Sequence, residues 1–156
     1  MNSTAVSTPS CPVSKLLVAW WLLCAAIALH VADEATHNFL AVYNPSVIAM
    51  RQYAHWLPLP VFTFKLWSVG LALGIVLLFS LSPFLSRNAR WIRPFAYAVS
   101  ILMIGNGLQH ILGTILGRTV PSVHFPRPMP GFYSSPVLIC ASIYVLIQLR
   151  NTRRSP

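Results

Sequence analysis

The chain has 156 residues, 56% of them hydrophobic and 8% charged, with a formal net charge of +9. That balance excludes an ordinary soluble domain and points to an integral membrane protein whose first partners are membrane lipids. The basic residues lie beside apolar segments, as topology signals do, and form no basic face with interleaved aromatics, so nucleic acid is not an expected partner.

Residues 1–15, rich in Ser, Thr and Pro, read as a disordered cytoplasmic tail. An apolar segment then runs over 16–43, with Asn44-Pro45 expected to end it. Lys15, the short apolar core and Ala26-Ile27-Ala28 also fit a signal peptide cleaved near Leu29. Against that stand the long tail before Lys15 and the return of apolar residues at Phe39, Leu40, Ala41 and Val42. Residues 45–57 read as a short interfacial helix or ordered loop with Trp56 at headgroup level. A second span covers 61–82 and stops at Pro83, with Lys65 placed to snorkel. A basic turn with Arg87, Arg90, Trp91 and Arg93 follows. The third span covers 94–117. Pro121, Pro126, Pro128, Pro130 and Gly131 make residues 118–134 an irregular connection. Ser135-Pro136 supplies an N-cap and first-turn proline for a fourth span over 135–149.

The expected fold is therefore all-α, a four-transmembrane-helix bundle within 16–156. Lys15, Arg87, Arg90, Arg93, Arg150, Arg153 and Arg154 fall on one side and make both termini cytoplasmic. Cys24 and Cys140 lie in apolar segments, Cys11 lies in the tail, and no C-x-x-C pair exists, so there is no disulfide framework and Cys24 and Cys140 read as buried structural filler. Trp20, Trp21, Trp56 and Trp91 read as interface anchors or packing.

Both acids of the chain stand in His30-Val-Ala-Asp33-Glu34-Ala-Thr-His37, at the end of the first apolar run. On a helix, His30, Asp33, Glu34 and His37 share an arc of about 100°. Ionisable groups at membrane depth are costly and mark functional sites by default. The third span repeats the spacing with Asn106, Gln109, His110 and Gly113. Counted from Lys15, His30 and Glu34 are about 22 and 28 Å up; counted from Arg93, Asn106 and His110 are about 20 and 26 Å up. Stripes at one level that cannot face lipid should face each other. Gly113 and Gly117 form a small-xxx-small pair expected to admit a neighbouring helix. His55 and His124 fall in loops and read as solvated.

His30-Val-Ala-Asp33-Glu34 resembles the H-x-x-E-E signature of the bacterial HXXEE membrane-protein family, with Asp33 standing where the signature has Glu. Asn106-Gly-Leu-Gln109-His110 and Pro130-Gly131 resemble that family's second half. The resemblance covers roughly residues 16–150 and implies a bacterial integral membrane protein, in the cytoplasmic (inner) membrane. It supplies no activity.

Several chemistries suit these residues. His30, Glu34, His37 and His110 are a reasonable ligand set for a divalent metal such as zinc. Glu34-Ala-Thr-His37 has the Glu-x-x-His spacing of di-iron bundles, but those need about four carboxylates. A bis-histidine haem between His30 or His37 and His110 has nothing else to select it. Without metal, Glu34, His30, Asp33, His110 and Asn106 are candidate catalytic groups for acid/base work on a lipid-soluble small molecule. A histidine and glutamate at i, i+4 also resemble the emopamil-binding sterol isomerases, over two residues only. A proton or ion pathway uses the same materials. The plainest alternative is a structural network that fixes helix register.

Overall fold

The computed structural model describes residues 15–154 apart from 57, 88 and 89, so the expected disordered tail and Cys11 lie outside the described residues. The fold is predominantly helical. Its elements are α1 (Lys15–Thr36), α2 (Leu40–Tyr53), α3 (Phe64–Ser80), α4 (Ser82–Ser86), α5 (Ile92–Leu116), a hairpin of β1 (Arg118–Val120) and β2 (Val123–His124), and α6 (Ser135–Arg154).

Among the described residues, three stretches are long and apolar enough to cross a membrane: Lys15–Thr36, Phe64–Ser86 and Ile92–Leu116. The second is apolar on every side. Trp67 is the one buried residue recorded for α3, while Leu66, Leu73 and Val76 are more than 60% exposed. A helix that is hydrophobic all round without being covered by protein suits lipid as its solvent.

Packing runs in the order α3, α1, α6, α5, with α6 the shared neighbour of α1 and α5. Polar contacts pin this order at the helix ends. Trp20 of α1 is fully buried and its indole N–H donates to the Leu78 carbonyl at 2.9 Å. Arg93, at the start of α5, donates to the Leu149 carbonyl of α6 at 2.9 Å and to the Thr152 hydroxyl at 2.8 Å. The apolar core between them contains Trp20, Leu23, Ile92, Leu138, Val145 and Leu149.

The helix boundaries depart from the sequence reading in four places. The first span stops at Thr36 instead of running to Tyr43. Asn38 takes the left-handed conformation (φ 56°), and the Phe39 N–H closes on the Glu34 carbonyl at 3.0 Å. That is a Schellman-type end, which asparagine tolerates better than other non-glycine residues. Asn44-Pro45, expected to break a helix, lies inside α2. The missing Pro45 donor removes a single helical bond there. Asn44 adds compensating ones, donating to the Phe62 carbonyl at 2.8 Å and accepting the Phe62 N–H at 3.0 Å. Pro83 does not stop the second span; it sits in the first turn of α4, where its ring is tolerated. In α6 the helix continues past Leu149 to Arg154.

The glycine expectation also changes. A Cβ on Gly113 would strike the Met129 sulfur of the connecting loop, and Gly117 is the left-handed cap of α5 (φ 68°) with the Arg127 guanidinium against it. The close helix approach falls at Gly107 instead, where a Cβ would lie 2.7 Å from Ile139 and 3.2 Å from the Ser135 carbonyl of α6.

Candidate functional site

The last two turns of α1 point two ways. His30 and Glu34 turn inward, with 2% and 5% of their surface exposed. Asp33 and His37 turn toward the start of α6. The approach of α5 at Gly107 brings His110, fully buried, to the inward pair. Gly131 completes the arrangement from the loop before α6. Its φ is +87°, and a Cβ there would sit 2.8 Å from His110 Nδ1 and 3.0 Å from His30 Cε1. Only a glycine lets both imidazoles rest against that backbone.

The cluster centres on the Glu34 carboxylate. Its Oε1 lies 3.1 Å from His110 Nε2 and 3.7 Å from His30 Nε2. The two rings meet edge to face at 4.8 Å between centroids. Asn106 places its Oδ1 3.1 Å from the same His110 Nε2, and receives the Gln109 amide at 3.3 Å. Phe39, turned inward by the chain reversal at Asn38, covers His110 at a ring distance of 5.7 Å and stacks toward Trp67 at 6.0 Å.

Asp33 acts one layer out. Its Oδ2 accepts both the Ser134 N–H at 2.9 Å and the Ser134 hydroxyl at 2.7 Å. A carboxylate at this point caps the amino end of α6 and complements its dipole. The Ser134 Oγ lies 2.8 Å from His30 Nδ1. A hydroxyl has one proton to give, and here it goes to the carboxylate, so His30 Nδ1–H is the donor to Ser134. That assignment, drawn from the network, leaves His30 Nε2 as a lone pair aimed at Glu34. His30 Nε2 and His110 Nδ1 are buried without a hydrogen-bond partner.

His37 does not join the cluster. Its side chain is about half exposed and its Nδ1 lies 2.8 Å from Asp33 Oδ1. The cause is the helix end at Thr36: His37 leaves the helical register and folds back over Asp33 and Tyr133. Among the described residues, His30, Glu34 and His110 are the group whose ligand atoms lie within 4.8 Å of one another. Sequence reading passed over Ser134, Gly131 and Phe39 as site residues. Pro130-Gly131 was a visible signal; Ser134 carried none, because its importance comes from the tertiary contact with Asp33.

Glu34 and Asn106 also line one end of a cavity of about 540 Å³ between α2, α3, α5 and β1. Its walls include Val42, Trp67, Leu71, Leu112 and Met129. The Ser46 and Thr119 hydroxyls bond to each other and tie α2 to β1 above it. A buried polar group at the end of an apolar chamber of this size is the usual form of a small-molecule site. Compared with known proteins, the chain matches no family model, no curated protein and no solved structure.

Proposed function

We propose that this chain is a four-span membrane protein in which His30, Glu34 and His110 bind a divalent metal, zinc being the best fit, and present it to a lipid-soluble substrate in the adjoining cavity. The observation that carries the reading is the His30 imidazole. Its Nδ1 is held by the Ser134–Asp33 relay, and its Nε2 lone pair is buried, without a hydrogen-bond partner, and 3.7 Å from a carboxylate oxygen. Two electron-rich atoms that face each other in a buried site repel unless a cation lies between them.

The two distances from Glu34 suit a metal. Tetrahedral bonds of about 2.0–2.1 Å set ligand atoms about 3.3 Å apart. The two distances to Glu34, 3.1 and 3.7 Å, bracket that value. Two histidines and a glutamate are a ligand set of catalytic zinc sites, which keep one position for water or substrate. Here that position would face the cavity that Glu34 lines. The carboxylate–serine–histidine relay is the outer support that metal-bound histidines ordinarily have. The resident metal would polarise a substrate oxygen or lower the pKa of bound water.

The four-span reading takes α6 as the fourth crossing. Val137–Leu149 is apolar, its start touches the end of α1 through Ser134, and its end touches the start of α5 through Arg93. An element joined at both ends to two apolar crossings shares their depth. Lys15, Arg87, Arg90, Arg93 and Arg150 then gather at one face, making it cytoplasmic, and the resemblance of His30-Val-Ala-Asp33-Glu34 to the HXXEE signature supports a place in the bacterial inner membrane.

Metal analysis of the full-length protein purified in detergent tests the proposal. About one equivalent of a divalent ion is expected, lost in His30→Ala, Glu34→Ala and His110→Ala proteins that keep their helical circular dichroism. Wild-type protein that takes up no metal after supplementation refutes it. A metal-free reading rests on the 3.1 Å contact of His110 Nε2 with Glu34, a distance at which the pair can exchange a proton. In that case Glu34→Gln abolishes turnover and metal content is irrelevant.

A further inference from the structure

At the far end of the cavity from Glu34 stands Arg118, the first residue of β1. Its side chain is exposed, and its guanidinium has no hydrogen bond or ion pair among the described residues. The chain holds two acids. Asp33 is engaged by Ser134 and His37, and Glu34 by His110. Among the described residues no carboxylate pairs with Arg118, so its guanidinium is open to an anion from outside the chain.

Between Arg118 and the cluster the walls are apolar. Leu112 and Leu116 line the cavity and are 55% and 58% exposed, so its side between α3 and α5 opens toward the surface that the membrane reading gives to lipid. About 10 Å of helix rise separates His110 from Gly117, just before Arg118. At the inner end the polar groups next to the cluster are the uncharged amides of Asn106 and Gln109.

We propose that the cavity binds an anionic single-chain amphiphile, its acidic head on Arg118 and its chain laid between Trp67 and Leu112 toward the cluster. The volume, about 540 Å³, is that of a site for one small molecule. The head is a carboxylate or a phosphate, both of which a guanidinium binds through paired N–H groups. The inference deepens the function proposed above and rests on it for the placing of the cluster as the working end.

The test uses full-length protein in phosphatidylcholine nanodiscs and a diazirine-labelled palmitate. Photolabel is expected on peptides carrying Trp67, Leu71 or Leu112, and on none in a Leu112→Trp protein whose cavity is filled. Dodecanoate or dodecyl phosphate should displace it about 10-fold better than uncharged dodecanol, the worth of one charge-assisted pair. Arg118→Gln should remove that preference while retaining metal. Displacement by dodecanoate alone assigns the head as a carboxylate, and by dodecyl phosphate alone as a phosphate. Dodecanol competing as well as the anions, or an Arg118→Gln protein with its preference intact, overturns the proposal. Metal is measured on the same samples. Anion-dependent labelling without metal would uphold this site and remove the metal reading; metal without labelling would do the opposite.

Discussion

Removing the Asp33 carboxylate should weaken the protein and its metal affinity together, through Ser134. The side chain is 7% exposed, so solvent screens it little. In Asp33→Ala the Ser134 N–H and hydroxyl lose the acceptor they share at 2.9 and 2.7 Å. Hydrogen bonds to a charged group contribute about 1.5–3 kcal/mol each in soluble proteins. In membrane proteins interhelical hydrogen bonds contribute less, about 0.6–1.7 kcal/mol each, because the unfolded state also finds partners. The dipole of α6 adds about 0.3–1 kcal/mol, so a total loss of about 3 kcal/mol is expected for the folded state. Asp33→Asn keeps the acceptor and loses the charge, and should cost about half of that. Loss of the relay should also lower metal affinity about 10- to 100-fold, or roughly 1.4–2.7 kcal/mol, as other outer-layer partners do. The assay is thermal denaturation in detergent with zinc and with chelator, alongside metal competition with a chromophoric chelator. Ser134→Ala supplies the second arm of a double-mutant cycle. If Asp33 acts through Ser134, the two losses of affinity are non-additive by at least about 0.5 kcal/mol. An Asp33→Ala protein that binds metal within threefold of wild type, or strict additivity with Ser134→Ala, refutes the relay.

Three other outcomes follow from the same geometry. Gly131→Ala should cost at least about 1–2 kcal/mol from its positive φ alone, and should abolish metal binding because the new methyl displaces both imidazoles. Gly105→Ala, with nothing within 4 Å of the added carbon, is the control and should melt and bind like wild type. For topology, reporter fusions after Arg154 and within 86–92 should register cytoplasm, and fusions within 46–57 or 119–130 the outside; an external signal from 86–92 would sink the four-span arrangement. Opening Phe39 to Ala should leave metal binding in place but quicken its loss to chelator, since that ring covers His110; an unchanged off-rate would show that access runs elsewhere.

Much of the helix content could be read from the chain, because apolar runs bounded by Lys15, Arg93 and Arg150 have one economical solution in lipid. The meeting of His110 with Glu34 was readable from helix rise, since both were counted up from basic residues at one end. The end of α1 at Thr36 was harder. A left-handed Asn38 is one of several conformations open to that residue, and the tertiary seat of Phe39 on His110 and Trp67 selects it. Pro45 misled for a related reason: a local breaker was outweighed by the two bonds between Asn44 and Phe62, a residue 18 positions on. Helical periodicity put His30, Asp33, Glu34 and His37 on one arc, yet could not show that α6 would divide them. Asp33 meets Ser134 at its amino end, with His37 folded back over it past the helix end, while His30, which also reaches Ser134, turns with Glu34 toward His110.

That division bears on whether the cluster is scaffolding. A network that only fixes register gains its stability by mutual satisfaction, and a partly satisfied one is worse than an apolar core. The outer half of this network meets that standard, since each Asp33 oxygen has a partner and α6 is capped. The inner half does not: His30 Nε2, facing the Glu34 carboxylate, and His110 Nδ1, against Gly131, are buried without a hydrogen-bond partner. If the inner groups were scaffolding, replacing His30, Glu34 and His110 by Leu, Leu and Phe should stabilise the bundle and leave its biological activity whole. A site predicts a different pair of results. The apolar protein folds, with melting at or above that of the chelated wild type, and fails to complement a deletion strain, while Glu34→Gln fails to complement without any gain in melting temperature. Complementation by the apolar protein would make the inner cluster structural and end the functional reading.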